Sequence, residues 1–299
     1  MPTETEPAAW TILSVLRWTT AYFTDRHIDS PRTTAELLLA HALGVAKIDL
    51  YLRFDQPLSP EELAAFKALI RRRTAGEPTA YILGVRSFWN QDLAVTPDVL
   101  IPRPETEHLV EAALEVLRSP GESGRRRRVL DLGTGSGAVV VALAADAGGH
   151  LFFAADRSPR ALAVARGNAR RHLKDTSVYF FGSHWFRSLA EGRALFDLVV
   201  CNPPYIPSAD IETLPVEIRR HEPRGALDGG PDGLADIREV VARAPAYLVP
   251  GGWLLLEIGA GQHTAVADIV RRTGRYAEPA FLKDYSGHRR VLKVAATVP

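Results

Sequence analysis

The chain has 299 residues, of which 46% are hydrophobic and 24% charged, so it can bury a large core and is too apolar for a disordered polypeptide. Its 36 basic and 35 acidic residues leave a net charge of +1, far from the basic excess of a nucleic-acid coat protein. The longest apolar run, residues 138–145, falls well short of the roughly 18 residues that cross a bilayer, so no membrane partner is expected.

Cys201 is the single cysteine, which excludes an internal disulfide framework and a multi-cysteine zinc site. The first nine residues carry Glu4 and Glu6 and no basic cluster ahead of an apolar stretch, so no secretory leader is expected and a cytoplasmic location is. The arginine clusters, such as Arg71 to Arg73 and Arg125 to Arg128, read mainly as solvated helix and loop ends. No stable nucleic-acid binding is expected from them, and a monomer is.

The first eighty residues read as a helical domain. Residues 10–25 form the first candidate helix. Ser30 and Pro31 supply an N-cap and a first-turn proline for a second, which Gly44 stops. Ser59, Pro60, Glu61 and Glu62 form a capping box ahead of the apolar stripe Leu63, Phe66, Leu69 and Ile70, and Gly76 ends that helix. A module of this size buries little surface by itself, so it packs on something or binds something.

Residues 81–99 are short, aromatic and extended in pattern, with Gly84 and Asn90 as turn signals, and predict a hairpin or connector. Pro102 to Pro104 restrict the backbone, and Pro104 opens a helix through Leu117. Residues 120–128 read as a polar linker. Strands then alternate with helices. Strands are predicted at 129–132, 151–155, 178–181, 196–201, 253–258, 280–282 and 290–294, and helices to Ala145, from Ser158 to His172, over 232–248, and on to Thr273. Alternation of this kind with near-continuous apolar strands implies an α/β fold, a parallel sheet covered on both faces.

Where the first of these strands turns into its helix the sequence reads Asp131-Leu132-Gly133-Thr134-Gly135-Ser136-Gly137. Glycine there lets the backbone adopt positive φ and approach a ligand closely, at the carboxyl-end crevice where open α/β sheets bind ligands. Asp156 ends the second strand and can accept both hydroxyls of a ribose. The pair suggests an adenosine-containing cofactor. The spacing is not that of a dinucleotide binder, and no Gly-Lys-Ser/Thr is present to hold a triphosphate.

The fourth strand ends in Asn202-Pro203-Pro204-Tyr205, where two prolines stop the strand and stiffen the turn. An amide or aromatic amine nitrogen is a poor nucleophile because its lone pair is delocalised. The Asn202 side-chain oxygen and the Pro203 carbonyl can together accept hydrogen bonds from such an NH2 group and aim its lone pair at an electrophilic methyl carbon, while Tyr205 packs on the planar group. Positioning of this kind is a recognised source of rate. Glu217 and His221 stand four apart and could share a helix face, but with no third ligand in view they read as a solvated pair, and no metal is expected. Arg103 and Glu105 read equally well as ligand contacts or as a junction salt bridge. Cys201 reads as a small core residue.

These motifs resemble the release factor glutamine methyltransferase family (PrmC/HemK), and the resemblance covers nearly the whole chain. Its connector is present as Gly76-Glu77-Pro78-Thr79-Ala80-Tyr81-Ile82-Leu83-Gly84 followed by Phe88-Trp89, and its entry to the catalytic domain as Ile101-Pro102-Arg103-Pro104-Glu105-Thr106-Glu107. A later signature includes Glu222-Pro223, Ala226-Leu227 and Gly229-Gly230-Pro231-Asp232-Gly233-Leu234.

The resemblance implies a Rossmann-like methyltransferase sheet of seven strands, mostly parallel, with a small N-terminal helical domain. The implied layout is a substrate-recognition domain over 1–80, a connector over 81–103 and an S-adenosylmethionine-dependent catalytic domain over 104–299. It implies that Gly133, Thr134, Gly135, Ser136 and Gly137 wrap the methionine end of S-adenosylmethionine, that Asp156 holds the ribose, that Trp185 lies on the adenine and that Asn202 borders cofactor and substrate. Asn202, Pro203, Pro204 and Tyr205 would hold the glutamine of a peptide-chain release factor, with Asn202, Pro203 and Tyr205 promoting transfer.

Two positions depart from the family pattern. His184 stands where the family usually has an acid near the adenine amino group, and Ser87 replaces a common glutamate before Phe88. Two other readings stay open on sequence alone: the same motif on a DNA adenine or a ribosomal-protein glutamine, and a cofactor-binding module without turnover.

Overall fold

The computed structural model describes residues 10–119, 125–174, 177–191 and 193–297. The first nine residues and positions 120–124 of the expected linker lie outside the described residues. The described chain divides into two compact units. One comprises residues 10–84 together with Val216–His221; the other comprises Val85–Pro215 and the chain from Glu222 onward.

The first unit is helical: α1 (Ile12–Thr24), α2 (Pro31–Leu43), α3 (Asp49–Leu52), α4 (Pro60–Thr74) and α5 (Thr79–Leu83). The capping box before α4 forms as expected. Glu62 N–H donates to the Ser59 hydroxyl at 3.2 Å, and Ser59 N–H donates to the Glu62 carboxylate at 2.7 Å. Gly44 closes α2 in the left-handed conformation. Ser30 differs from expectation: it is itself left-handed, at φ 47°, and makes no side-chain cap bond. His27 and Ser30 both take positive φ between α1 and α2, whereas a capping side chain needs an extended backbone at the N-cap. Residues 81–83 are also helical rather than extended, because Tyr81 and Ile82 bury on one turn whose N–H groups donate to the Pro78 carbonyl. A short apolar run leaves strand and helix undecided by pattern.

The core of this unit is Phe23, Leu38, Leu39, Ile12, Leu16, Leu50 and Phe66. Val216–His221 forms a short helix, α9, belonging to this unit. There Glu217 pairs with the buried guanidinium of Arg73, so it is neither a metal ligand in a pair with His221 nor simply solvated.

In the second unit β1 (Val85–Phe88) and β2 (Gln91–Ala94) make the expected hairpin, turning at Trp89 and Asn90 with Trp89 at φ 55°. A 3-10 turn over Pro104–Thr106 leads into α6 (Glu107–Arg118). The main sheet contains β3 (Arg128–Leu132), β4 (Leu151–Asp156), β5 (Val178–Gly182), β6 (Phe196–Cys201), β7 (Leu248–Glu257), β8 (Ala280–Lys283) and β9 (Arg289–Ala295). Its order is β5-β4-β3-β6-β7-β9-β8, and β9 alone runs against the rest. Helices α6, α7 (Ala138–Asp146) and α8 (Pro159–His172), and α10 (Ala235–Arg243) and α11 (His263–Thr273), bring apolar side chains to two separate cores. Two boundaries differ from the pattern reading. The helix expected over 232–248 stops at Arg243 ahead of Pro245, and β7 begins five residues early, at Leu248. Gly252 makes the longer strand possible, since a Cβ there would lie 2.9 Å from the Val249 carbonyl and 3.2 Å from that of Phe196.

Strand order reverses between β3 and β6, which opens a crevice at their carboxyl ends. Register makes this crevice orderly. Leu132 stands opposite Ala155 on one side and Cys201 on the other, and Cys201 stands opposite Leu256. The residues that follow in each strand are Gly133, Asp156, Asn202 and Glu257.

Glu36 offers a test of the helical unit. It is 2% exposed on α2 and accepts hydrogen bonds from Tyr51 at 2.5 Å, Lys47 at 2.9 Å and Arg32. Burial pushes its pKa up, but the bonds from Tyr51, Lys47 and Arg32 outweigh it and hold the carboxyl at about 2. A depressed carboxylate contributes stability that is present above its unfolded pKa and lost as pH falls toward the folded one. Glu36→Gln is therefore expected to lower unfolding free energy near neutral pH by on the order of 2 kcal/mol. The deficit should shrink below about pH 4.5, measured by denaturant unfolding across pH.

Candidate active site

The crevice holds a cavity of about 290 Å3, lined by Gly133, Gly135, Asp156, Trp185, Asn202 and Pro204 among others. Five residues expected to contact a cofactor therefore share one cavity: Gly133, Gly135, Asp156, Trp185 and Asn202. Thr134, Ser136 and Gly137 shape the loop from behind instead. The Thr134 hydroxyl donates to Asp131 at 2.7 Å, the Ser136 carbonyl accepts from Asn168 at 2.8 Å, and Gly137 packs against α8, where a Cβ would come within 3.1 Å of Ala165 Cβ. Gly135 takes φ 55°, and a Cβ there would make only an ordinary contact, 3.9 Å from the Gly133 carbonyl. Here glycine serves the backbone turn.

Asp156 binds the loop to its own strand end. One carboxylate oxygen accepts from Gly135 N–H at 2.9 Å and the other from Ser158 N–H at 2.8 Å. Each oxygen keeps a further acceptor position, as a pair of ribose hydroxyls requires. Trp185 is buried, sits at φ 49° and donates its indole N–H to Asp236 at 3.0 Å. Its ring lies along Gly133, where a Cβ would be 3.3 Å from the ring edge. Asp236 was not marked by any sequence signal, because its role depends on an aromatic partner 51 residues away. His184 also lines the cavity. Its Nδ1 is buried without a hydrogen-bond partner among the described residues and lies 4.0 Å from Glu239.

Asn202 stands at the opposite side of the loop from Asp156 in the strand order, and its NH2 donates to the Thr106 hydroxyl oxygen at 3.1 Å. Pro203 is buried behind it. Tyr205 turns its hydroxyl inward, donating to Glu257 Oε1 at 3.2 Å. Burial, reinforced by the Glu257 charge, raises the Tyr205 pKa, so the hydroxyl stays protonated. Burial likewise raises Glu257, opposed by the nearby hydroxyls of Thr106 and Tyr205, of which that of Tyr205 donates to it.

The signature Gly229 to Leu234 is a buttress for this turn. Gly229 N–H donates to the Ile206 carbonyl at 2.9 Å, and a Cβ on Gly229 would lie 2.8 Å from the Pro204 carbonyl; one on Gly233 would overlap the Tyr205 carbonyl. Gln262 secures the same Tyr205 carbonyl by a 3.0 Å bond. Arg103 and Glu222 form an ion pair at 2.6 Å within the second unit, and Glu222 also accepts from Ile101 N–H at 3.1 Å, which holds the segment leading to Thr106.

The cavity's lining fits an adenosine carrying a small charged tail: a glycine turn held at positive φ, a carboxylate with spare acceptor positions and an indole wall. With the doubly wound sheet, these features define a Rossmann-like methyltransferase. A methyltransferase from Pyrococcus furiosus shares the fold, with a TM-score of 0.52 at 19% identity over 78% of this chain and 98% of that one.

Family models for the PrmC N-terminal domain and the methyltransferase small domain match residues 14–84 and 106–217. The chain is 47% identical to the release factor glutamine methyltransferase of Geobacter sulfurreducens over 90% of its length and 91% of the relative's. It is 38% identical to that of Rhodopirellula baltica over 95% and 96%. The chain belongs to the release factor glutamine methyltransferase family.

Asp131 sets a pH dependence at this site. It is buried beneath the loop, and burial pushes its carboxyl up to about 7 against the opposing bonds from Thr134 and the backbone. A carboxyl with a raised folded pKa binds its proton more tightly in the native state, so this group makes stability fall as pH rises toward 7. Asp131→Asn is expected to remove that slope. The melting temperature of the variant relative to the parent should climb between about pH 4 and about pH 7 in thermal scans.

Proposed function

We propose that the protein transfers a methyl group from S-adenosylmethionine to the side-chain amide nitrogen (N5) of the glutamine in the Gly-Gly-Gln motif of peptide-chain release factors. The observation that carries this reading is the shared cavity: Asn202 opens into the same space as the glycine loop and Asp156. When bound, S-adenosylmethionine supplies an electrophilic methyl carbon on a sulfonium sulfur. Gly133 and Gly135 would cradle its amino-acid end, Asp156 its ribose hydroxyls, and Trp185 its adenine ring.

On the acceptor side, Asn202 Oδ1 and the Pro203 carbonyl take the two N–H bonds of the glutamine amide. This fixes the nitrogen in one orientation and turns its lone-pair density toward the electrophile. Pro204 and Tyr205 close around the amide plane and exclude water. No side chain has to remove a proton first, because the nitrogen sheds one after alkylation. The work is orientation, and its rate gain is of the effective-molarity kind. The helical unit would seat the body of the release factor, and the enzyme would act as a monomer in the cytoplasm, where its substrate works.

Two substitutions separate the roles. Asn202→Ala is expected to reduce methylation of the release-factor glutamine by roughly a hundredfold or more while S-adenosylmethionine binding holds. Asp156→Ala is expected to weaken cofactor binding by about tenfold or more. Mass spectrometry of the Gly-Gly-Gln peptide reads the first, and calorimetric titration the second. Labelling of a different protein or of DNA in place of the glutamine would refute the assignment.

A further inference from the structure

Prolines at 203 and 204 fix φ at two successive positions of the substrate turn, and the ladders to β3 and β7 fix Cys201 just before it. Tyr205 is the first residue after the prolines whose φ is free to turn. Among the described residues no backbone N–H takes its carbonyl. A residue whose carbonyl is left to water keeps its freedom, and so does the ring it carries.

The Gln262 side chain removes that freedom. Its Nε2 donates to the Tyr205 carbonyl at 3.0 Å and to the Gly233 carbonyl at 3.3 Å, and its Oε1 accepts from Gly259 N–H at 2.8 Å. All three partners are main-chain groups of fixed polarity, so the amide has one orientation. Swapping its two ends would set oxygen against two carbonyls and NH2 against an N–H. The fit is close on every side. A Cβ on Gly233 would overlap the Tyr205 carbonyl oxygen and lie 2.9 Å from Gln262 Nε2. One on Gly259 would lie 2.9 Å from Gln262 Oε1 and 3.3 Å from Cδ2 of the Tyr205 ring. The far end of that ring meets the same stretch of chain, where its hydroxyl donates to Glu257 at 3.2 Å. Main chain, ring edge and hydroxyl of one tyrosine are thus held by residues 257–262, the end of β7 and the loop that follows it.

We propose that Gln262 is a positioning residue for methyl transfer: by tying the Tyr205 carbonyl to Gly233 and Gly259 it sets where the Tyr205 ring stands over the amide of the substrate glutamine. This rests on the reading of Tyr205 as the ring that packs on that amide. Gln262 does not line the cavity and acts through Tyr205. A ring displaced by a fraction of its width leaves the amide plane loose, and transfer that depends on orientation is slowed accordingly.

The test uses Gln262→Met, which keeps the length of the side chain and removes its hydrogen bonds, beside Gln262→Glu, which keeps the acceptor for Gly259 N–H and turns a carboxylate oxygen toward the two carbonyls. Gln262→Met is expected to lower kcat for glutamine methylation by about tenfold with S-adenosylmethionine binding unchanged in calorimetric titration, and Gln262→Glu to lower it at least as much. A double-mutant cycle with Tyr205→Ala separates positioning from mere loss of stability. Once the ring is gone, Gln262→Met should lower kcat by less than about twofold further, whereas its effect on the melting temperature should persist. A second readout needs no turnover. In protein carrying 13C in its tyrosine rings, without cofactor or substrate, the Tyr205 signals are assigned by their loss in Tyr205→Ala and should shift in Gln262→Met. Tyr205 signals that ignore Gln262→Met, or a kcat loss of the same size with and without the Tyr205 ring, overturns the proposal. If the ring signals respond as expected while the parent protein leaves the release-factor glutamine unmethylated, the substrate assignment fails and the brace on Tyr205 stands.

Discussion

One row of the sheet governs the chemistry of this protein. Ala155, Leu132, Cys201 and Leu256 stand side by side across four parallel strands, and the next residue of each strand is Asp156, Gly133, Asn202 or Glu257. Parallel pairing fixes their lateral spacing through the ladder, and the reversal of strand order between β3 and β6 clears the room in front of Gly133 and Asn202. A side chain on a flexible loop would have to be ordered at the cost of entropy when ligand arrives. These four are already held by a sheet whose central strands are buried throughout β6 and at every position of β3 after Arg128.

Polarity within the row is graded. Asp156 spends one acceptor position per oxygen on Gly135 and Ser158, which leaves a rigid carboxylate facing the cavity. At the other end Glu257 is buried beside the Asn-Pro-Pro-Tyr turn with the Tyr205 hydroxyl directed at it. A buried carboxyl is costly unless it is paired. The two flanks solve this differently: Asp156 is half-buried and open to the cavity, and Glu257 is sealed with a phenol hydroxyl for a partner. The glycine-rich segment from Gly229 to Gly233 completes the arrangement by bringing its backbone against the Pro204 and Tyr205 carbonyls, closer than any side chain would permit.

Legibility in the sequence followed the range of the interaction. The Ser59–Glu62 box, the Gly44 stop, all seven sheet strands and the Gly-x-Gly-x-Gly loop could be read because each depends on neighbours a few residues away. The Asn-Pro-Pro-Tyr corner could be read because rigid prolines beside an amide have few purposes. Three boundaries misled for local reasons: left-handed Ser30 cannot cap, Tyr81 and Ile82 fit one helical turn as well as a strand, and Pro245 cuts the helix begun at Ala235. Thr106 was visible only as part of a family motif, and the roles of Glu257 and Asp236 were invisible. Their partners lie 96, 52 and 51 residues away, and nothing in a local window encodes that an amide, a phenol or an indole will arrive beside them.

The placement of α9 bears on how such a protein can be taken apart or assembled over evolutionary time. Val216–His221 lies deep in the catalytic half of the gene yet packs with the N-terminal helices, bringing Glu217 to the Arg73 guanidinium and Val216 to within 3.1 Å of where a Gly76 side chain would begin. The polypeptide therefore enters the helical unit twice, and no single cut separates the two units. A fragment ending at Gly84 strands a buried arginine without its counter-ion, and a fragment beginning at Val85 carries a helix whose home is missing. The halves are not interchangeable cassettes, and recombination at the obvious junction would damage both.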